Sequence, residues 1–263
     1  MILKIKTFGQ RPFNRFKKTW SRFSCDRLEM STMLAMIEIE LKKIWRSKMP
    51  IYLFLAFAIL LFFHIQSHTW NGFISEKLNW FTMVMGMMGF GIFSSWQFGR
   101  EYQDETFKDL LALPVSRNKI ICAKLVALAV TEVLLSILSV VWIFAVGLFL
   151  HLGTFHLAGI GTQLVNFGLS MVAAIGLTFL FPLIASLSRG ILAPISVSFA
   201  TLLLGKLVAA DTIGHYFPWS VPMLQAAQQP SSINAISWLA VGLIACIGVF
   251  GTMVWWTYGD HTD

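Results

Sequence analysis

The chain has 263 residues, 56% of them hydrophobic and only 13% charged, with a mean hydropathy of +0.70; soluble domains carry roughly a quarter charged residues, so a water-soluble globule is excluded. A net charge of +7 would in a soluble protein point to nucleic acid. Here twelve of the twenty Lys and Arg precede residue 50 and five more sit in or beside one short island, which is the charge distribution of a membrane protein with cytoplasmic basic segments, and no nucleic-acid partner is expected.

Residues 1–30 are basic and aromatic and hold no apolar run long enough for a secretory signal. Three readings stay open for them: a poorly ordered tail, a segment drawn to anionic headgroups, or an extension upstream of a later start at Met30, Met33 or Met36. Residues 31–263 read as a single transmembrane domain. It opens with an amphipathic helix over 31–48, in which Leu34, Ile37, Leu41 and Ile44 recur at helical spacing and Glu38, Lys42, Lys43 and Arg46 occupy the other side. Such a helix lies in the membrane interface. Pro50 then fits the first turn of the next helix, where its missing N–H costs nothing.

Apolar stretches follow at about 50–69, 79–99, 119–150, 161–188, 190–210 and 234–258, each long enough for a ~30 Å hydrocarbon layer at ~1.5 Å per residue. The fold class is therefore all-α, with six transmembrane helices. With the N-terminus in the cytoplasm the C-terminus returns there; Lys77 falls outside, against seventeen positive residues before residue 125, and Arg189, inside. Trp70, Trp80, Trp219 and Trp238 mark the outer boundary and Trp96, Trp255 and Trp256 the inner one. Gly86, Gly89 and Gly91 in the second span, and Ser170, Ala173, Ala174 and Gly176 in the fourth, let helices approach closely. The last outer segment, from Asp211 to Ile233, carries Pro218 and Pro222 and reads either as short interfacial or re-entrant helices or as an irregular aromatic loop. Cys25, Cys122 and Cys246 are not placed for an extracellular disulfide and read as reduced.

Between the second and third stretches lies REYQDETFKDLLALPVSRNKIICAKL, Arg100 to Leu125, with nine charged residues in twenty-six. Each Arg, Lys or Asp would cost about 2.5–3.5 kcal/mol at the bilayer midplane, so the island stands outside the lipid. Glu101 to Ala112 is compatible with a helix, with Phe107, Leu110 and Leu111 on one face and Asp104, Glu105, Lys108 and Asp109 around it; Pro114 ends it and Ser116 is placed to cap the next helix. A solvated connector held by i,i+4 pairs such as Asp104 with Lys108 is the plainer alternative.

The order of these residues closely resembles the first cytosolic loop of ABC-2-type exporter permeases of the bacitracin and lantibiotic type: Arg100-Glu101-Tyr102, an acidic turn with Asp104 and Thr106, then Leu110, Leu111, Leu113, Pro114, Val115, Ser116, Arg117, Lys119 and Ala123-Lys124-Leu125. The resemblance extends from about residue 31 onward, to an elbow helix before the first span and to the run Tyr216 to Ser220 before the last. It implies that the island is a coupling helix docking on a separate ATPase subunit, through Glu101, Asp104, Thr106, Phe107, Leu110, Leu111, Pro114 and Arg117. It further implies a second permease subunit, identical or paralogous, a bacterial cell membrane, and export of an amphipathic or peptide-like substrate, as in antimicrobial peptide resistance. The chain has no G-x-x-x-x-G-K-[ST] loop. ATP and Mg are therefore expected on the partner, and no cofactor, metal or catalytic residue on this chain.

Two ionisable residues fall within the spans. Glu132 lies near mid-membrane and reads either as a functional group or as a Glu bonding across helices to hold the bundle. Lys206 can pair with Glu132, snorkel outward or meet Asp211. His64, His68, His151, His156 and His215 gather near the outer face; His64 and His68 have i,i+4 spacing, but no Cys or carboxylate completes a metal set, and interfacial packing or a pH-sensitive outer gate are the remaining readings. An ion-coupled secondary transporter is the alternative function, with Glu132 its best argument. An intramembrane enzyme would need a paired catalytic constellation that the spans do not offer.

Overall fold

The computed structural model describes residues 32–63, 67, 69–107, 115–151, 159–227 and 233–259. Among these, every regular element is a helix. Helix α1 (Thr32–Arg46) leads into α2 (Met49–Phe63) through a bend of 52°. Lys48, at φ +57°, makes the bend, and Ser47 stabilises both sides of it: its hydroxyl donates to the Ile44 carbonyl at 2.5 Å and accepts the Met49 N–H at 3.3 Å, serving an orphan donor of the new helix as an N-cap does. Pro50 occupies the first turn of α2, as expected.

The next helical run does not match the sequence expectation. Residues 70–78, expected as an outer loop exposing Lys77, are already helical: α3 (Trp70–Phe81), a π-helical stretch (Thr82–Gly89) and α4 (Phe90–Gln103) follow one another with helical backbone angles at every junction. The polar residues of α3 disguise its periodicity, since Trp70, Phe73, Ile74, Leu78 and Phe81 form a buried 3–4 stripe. Lys77 is itself buried, its ammonium 2.9 Å from the Glu76 carboxylate and 5.6 Å from the Phe73 ring centroid. The pairing offsets the desolvation that would otherwise keep the charge in a loop.

The remaining helices are α5 (Arg117–Phe149), α6 (Ile160–Thr178), α7 (Leu180–Ser188), α8 (Leu192–Val208), α9 (Val221–Ala226) and α10 (Ala235–Tyr258). Arg189, at φ +50°, ends α7 in a left-handed C-cap. The segment after Asp211 takes the helical of its two readings, as 3₁₀ turns Thr212–His215 and Pro218–Ser220 followed by α9. Ser220 donates to the Gly214 carbonyl and Ser237 to that of His215, tying this segment to α10. By length and composition α5, the α6–α7 run Ile160–Ser188 and α10 can each cross a bilayer, with α1–α2 a fourth if the bent pair is one span; α8 is apolar but shorter. Val133, Ile137, Leu138 and Val141 on α5, and Leu239, Leu243, Ile247 and Phe250 on α10, remain exposed. Apolar faces of that extent suit a lipid solvent.

Among the described residues the buried apolar side chains form three clusters, one of which, Met87, Ala173, Leu177, Val221, Met223 and Val241, joins the π-helical stretch to α6, α9 and α10. At the end where α4 stops and α5 begins, here the charged end, Ile44, Phe93, Phe98, Phe107, Ile121, Leu125, Ala185 and Trp256 pack together. Towards the opposite end Phe57, Leu61, Trp70, Phe73, Phe81, Ile143, Phe167 and Met171 do so. Gly99 permits a close backbone approach at the charged end, since a Cβ there would lie 2.8 Å from the Gly190 carbonyl oxygen.

Candidate functional site at the charged end

Lys124 stands one turn into the buried stripe of α5 and is 1% exposed. Its ammonium lies 2.5 Å from Glu101 Oε1 on α4 and 3.5 Å from Glu40 Oε2 on α1, while Glu40 Oε1 also accepts from Lys43 Nζ at 2.7 Å. Two carboxylates and two ammoniums thus share one mostly buried cluster, which approaches electroneutrality and so reduces the penalty that each charge alone would suffer. Burial pushes the Glu40 carboxyl up, and the Lys124 and Lys43 ammoniums more than offset this, holding it below its ordinary value. The Phe98 ring centroid is 5.4 Å from the Lys124 ammonium, and Gln97 Nε2 donates to the Lys124 carbonyl at 3.1 Å. The α1 helix is therefore tied to both helices that flank residues 104–116.

A second brace joins the same region to α10. Arg117, the first residue of α5, donates from Nη1 to the Trp256 and Thr257 carbonyls at 2.9 and 3.2 Å, satisfying acceptors left open at a helix C-terminus. Trp256 was expected at headgroup level but is fully buried. Its indole N–H donates to Ser186 Oγ at 2.9 Å, and its ring meets Phe98 and Phe107 edge-on at 6.1 and 4.8 Å. With Ser186 as acceptor its polar atom needs no water.

The expected continuous helix Glu101 to Ala112 is not formed. Helix α4 stops at Gln103, and Glu105 takes φ +56°, a left-handed residue that breaks the i→i−4 ladder. Phe107 is buried against Tyr102, at 4.4 Å between ring centroids, as well as against Trp256, and so cannot form part of an exposed ridge. Glu101 is turned inward to Lys124. Asp104, Glu105 and Thr106 are exposed. Ser116 occupies the N-cap position of α5 without a side-chain capping bond. Lys108, Asp109, Leu110, Leu111 and Pro114 lie outside the described residues.

Further along α5, Glu132 is fully buried, and neither carboxylate oxygen has a hydrogen-bond partner among the described residues. Lys206 is exposed on α8, so the two are not paired. His151 is exposed and its Nδ1 lies 2.9 Å from the Phe149 carbonyl; His64, His68 and His156 fall outside the described residues. No group of three His, Cys, Asp or Glu suited to a metal occurs among the described residues.

Sequence reasoning missed Glu40, Trp256 and Ser186. The signal for Glu40 was present: it falls on the stripe of Ile37, Leu41 and Ile44, where an acidic residue among apolar ones implies a buried partner. Trp256 carries no such mark, because an interfacial Trp and a buried one look alike in sequence.

No solved structure matches the chain. It is 26% identical over 186 residues, 69% of its own length and 88% of the relative's, to a bacitracin transport permease protein of Bacillus licheniformis. Residues 36–205 match the family model described as ABC-2 family transporter protein. That match covers more than half of the chain and includes most of α1, the segment 104–116 and the buried cluster, and the protein therefore belongs to the ABC-2 family of transporter proteins.

Proposed function

We propose that the chain is the membrane half of an ATP-driven exporter, crossing the cell membrane six times with both termini in the cytosol. The additional crossings are the continuous run Trp70–Gln103 and α8, which complete the count begun by α2, α5, α6–α7 and α10, with α1 lying in the interface. Residues 104–116 face the cytosol and dock on a separate ATPase subunit that binds ATP and Mg, and a second permease subunit completes the path.

The observation that carries this reading is the buried cluster of Glu40, Lys124 and Glu101. It ties the interfacial helix α1 to both flanks of the loop, so a displacement of the loop passes to three helices at once. The shape of the family resemblance, from Arg100 to Leu125, falls on the same segment. An amphipathic or peptide-like cargo is supported by the relative named as a bacitracin transport permease.

The test is affinity purification of the chain in mild detergent, with identification of co-purifying proteins and an ATP hydrolysis assay. Recovery of an ATPase subunit, lost with Leu111→Asp while membrane insertion is retained, is the expected result. A well-folded chain that brings no ATPase with it would reject the docking role and favour an ion-coupled transporter, in which Glu132 would be the first residue to change.

A further inference from the structure

The half of the bundle opposite the charged end contains a polar seam that the docking function does not use. Helices α3 and α6 lie side by side and run in the same direction: Gln163 Nε2 donates to the Asn71 carbonyl at 3.2 Å, Thr82 Oγ1 and Ser170 Oγ are 3.2 Å apart, and a Cβ on Gly86 would lie 3.5 Å from that of Ala174. The matching residues thus advance together along both helices. Asn79 precedes Thr82 by about one turn and Asn166 precedes Ser170 by about one turn, which brings both amides to one level. Gln225 joins that level from α9, its Nε2 donating to Asn166 Oδ1 at 3.0 Å. From Asn71 to Thr82 the seam extends roughly 16 Å at 1.5 Å per residue.

Two acceptors in this seam are open. Asn79 Oδ1 and Gln163 Oε1 are each buried without a hydrogen-bond partner among the described residues. Polar side chains that merely hold two helices together in lipid do so by completing each other's bonds, and a buried acceptor left open costs about 1–3 kcal/mol. Below Thr82 the character changes: Gly86 meets Met171 and Ala174, and the contact becomes apolar and close. The seam therefore ends within the bundle instead of running through to the charged end.

Resting on the exporter reading, we infer that the seam between α3 and α6 is a water-reachable binding path for uncharged hydrogen-bond donors, the amide N–H or hydroxyl groups of a transported amphipathic molecule, with Asn79 and Gln163 as the receiving acceptors. The segment containing α9 covers the level of Asn79 and Asn166, so a donor-bearing group reaches them when that segment moves. The amides match such a ligand because they accept from a donor without introducing a charge that would have to be desolvated.

The test is thiol labelling in intact cells. Cys25, Cys122 and Cys246 are replaced by Ser, and Asn79→Cys, Gln163→Cys, Ala174→Cys and Ile213→Cys are introduced singly. A membrane-impermeant cationic methanethiosulfonate is then applied, with and without bacitracin as the donor-rich probe. Ile213 is an exposed control and Ala174 a buried apolar one beyond the seam. Asn79→Cys and Gln163→Cys are expected to react at least about tenfold faster than Ala174→Cys through local opening, and bacitracin is expected to slow both. Reaction no faster than at Ala174→Cys, with Ile213→Cys fully labelled, overturns the path and leaves a packing seam. Fast labelling that saturating bacitracin does not alter overturns the binding of a donor-rich peptide there. If Asn79→Cys fails to accumulate, Gln163→Cys, two levels away, reports independently. Labelling does not depend on ATPase recovery, so failure of this inference and failure of the exporter reading are separate results.

Discussion

The ammonium of Lys124 lies 2.5 Å from the carboxylate of Glu101, and both side chains are almost completely buried. Lys124→Met leaves Glu101 and Glu40 facing one another without the shared cation. Breaking a buried pair from one side is expected to destabilise by about 3–5 kcal/mol, and removing both partners by much less. Thermal unfolding in detergent should therefore place Lys124→Met well below the wild type and Lys124→Met/Glu101→Gln between the two. A single variant that melts with the wild type would remove the cluster from the list of structural braces.

Glu40 gives the same cluster a pH dependence. Its folded carboxyl titrates below its ordinary value because Lys124 and Lys43 outweigh its burial. The stabilisation is accordingly complete above the ordinary carboxylate range and is lost as pH falls through the folded value. Wild type should lose melting temperature on acidification below about pH 4.5 more steeply than Glu40→Gln, which lacks this group. Parallel curves for the two would show that Glu40 does not contribute.

Trp256 separates packing from hydrogen bonding. Trp256→Ala removes the ring against which Phe98 and Phe107 pack and is expected to cost about 3–5 kcal/mol. Trp256→Phe retains much of that volume and loses chiefly the bond to Ser186, about 1 kcal/mol plus a small cavity. Comparison of the two melting temperatures with that of Ser186→Ala checks the division: Ser186→Ala should resemble Trp256→Phe.

Glu132 presents the opposite case, a buried carboxyl without a partner among the described residues. Glu132→Leu is expected to raise stability by about 1–3 kcal/mol, since it removes an unpaired polar group. If export in cells falls while the melting temperature rises, the residue is kept for function at the expense of stability. If Glu132→Leu destabilises, the carboxyl is instead a structural bond donor or acceptor in the assembled protein.

Much of this architecture could be read from sequence where one physical signal dominated. The long apolar runs of α5 and α10 and the bend before Pro50 follow directly from hydropathy and backbone restrictions. Helix α3 was less legible because Asn71, Ser75, Glu76, Lys77 and Asn79 give it the composition of a loop, and its buried stripe emerges only when Lys77 is known to pair with Glu76. The charged island interrupts the apolar runs plainly in sequence, but composition alone says nothing of which of its charges turn inward. Glu101 points inward because Lys124, twenty-three residues later, returns on the antiparallel α5 beside it. No local pattern reveals such a partner. The left-handed turn at Glu105 was invisible for a related reason: nothing in Asp104-Glu105-Thr106 forbids a helix, and the burial of Phe107 under Trp256 sets the chain's direction there.

The π-helical stretch Thr82–Gly89 has a consequence for how this protein tolerates insertions and deletions. Each i→i+5 turn accommodates more residues than an α turn, so loss of one residue within 82–89 can be absorbed by local return to α geometry, with little effect beyond Gly89. The same loss between Phe90 and Glu101 has no slack to draw on. It would rotate everything after it by about 100°, carrying Glu101 away from Lys124 and the loop away from its braces. Length variation among functional relatives should therefore collect in the methionine-rich stretch and be absent from the fourteen residues of α4 that follow it.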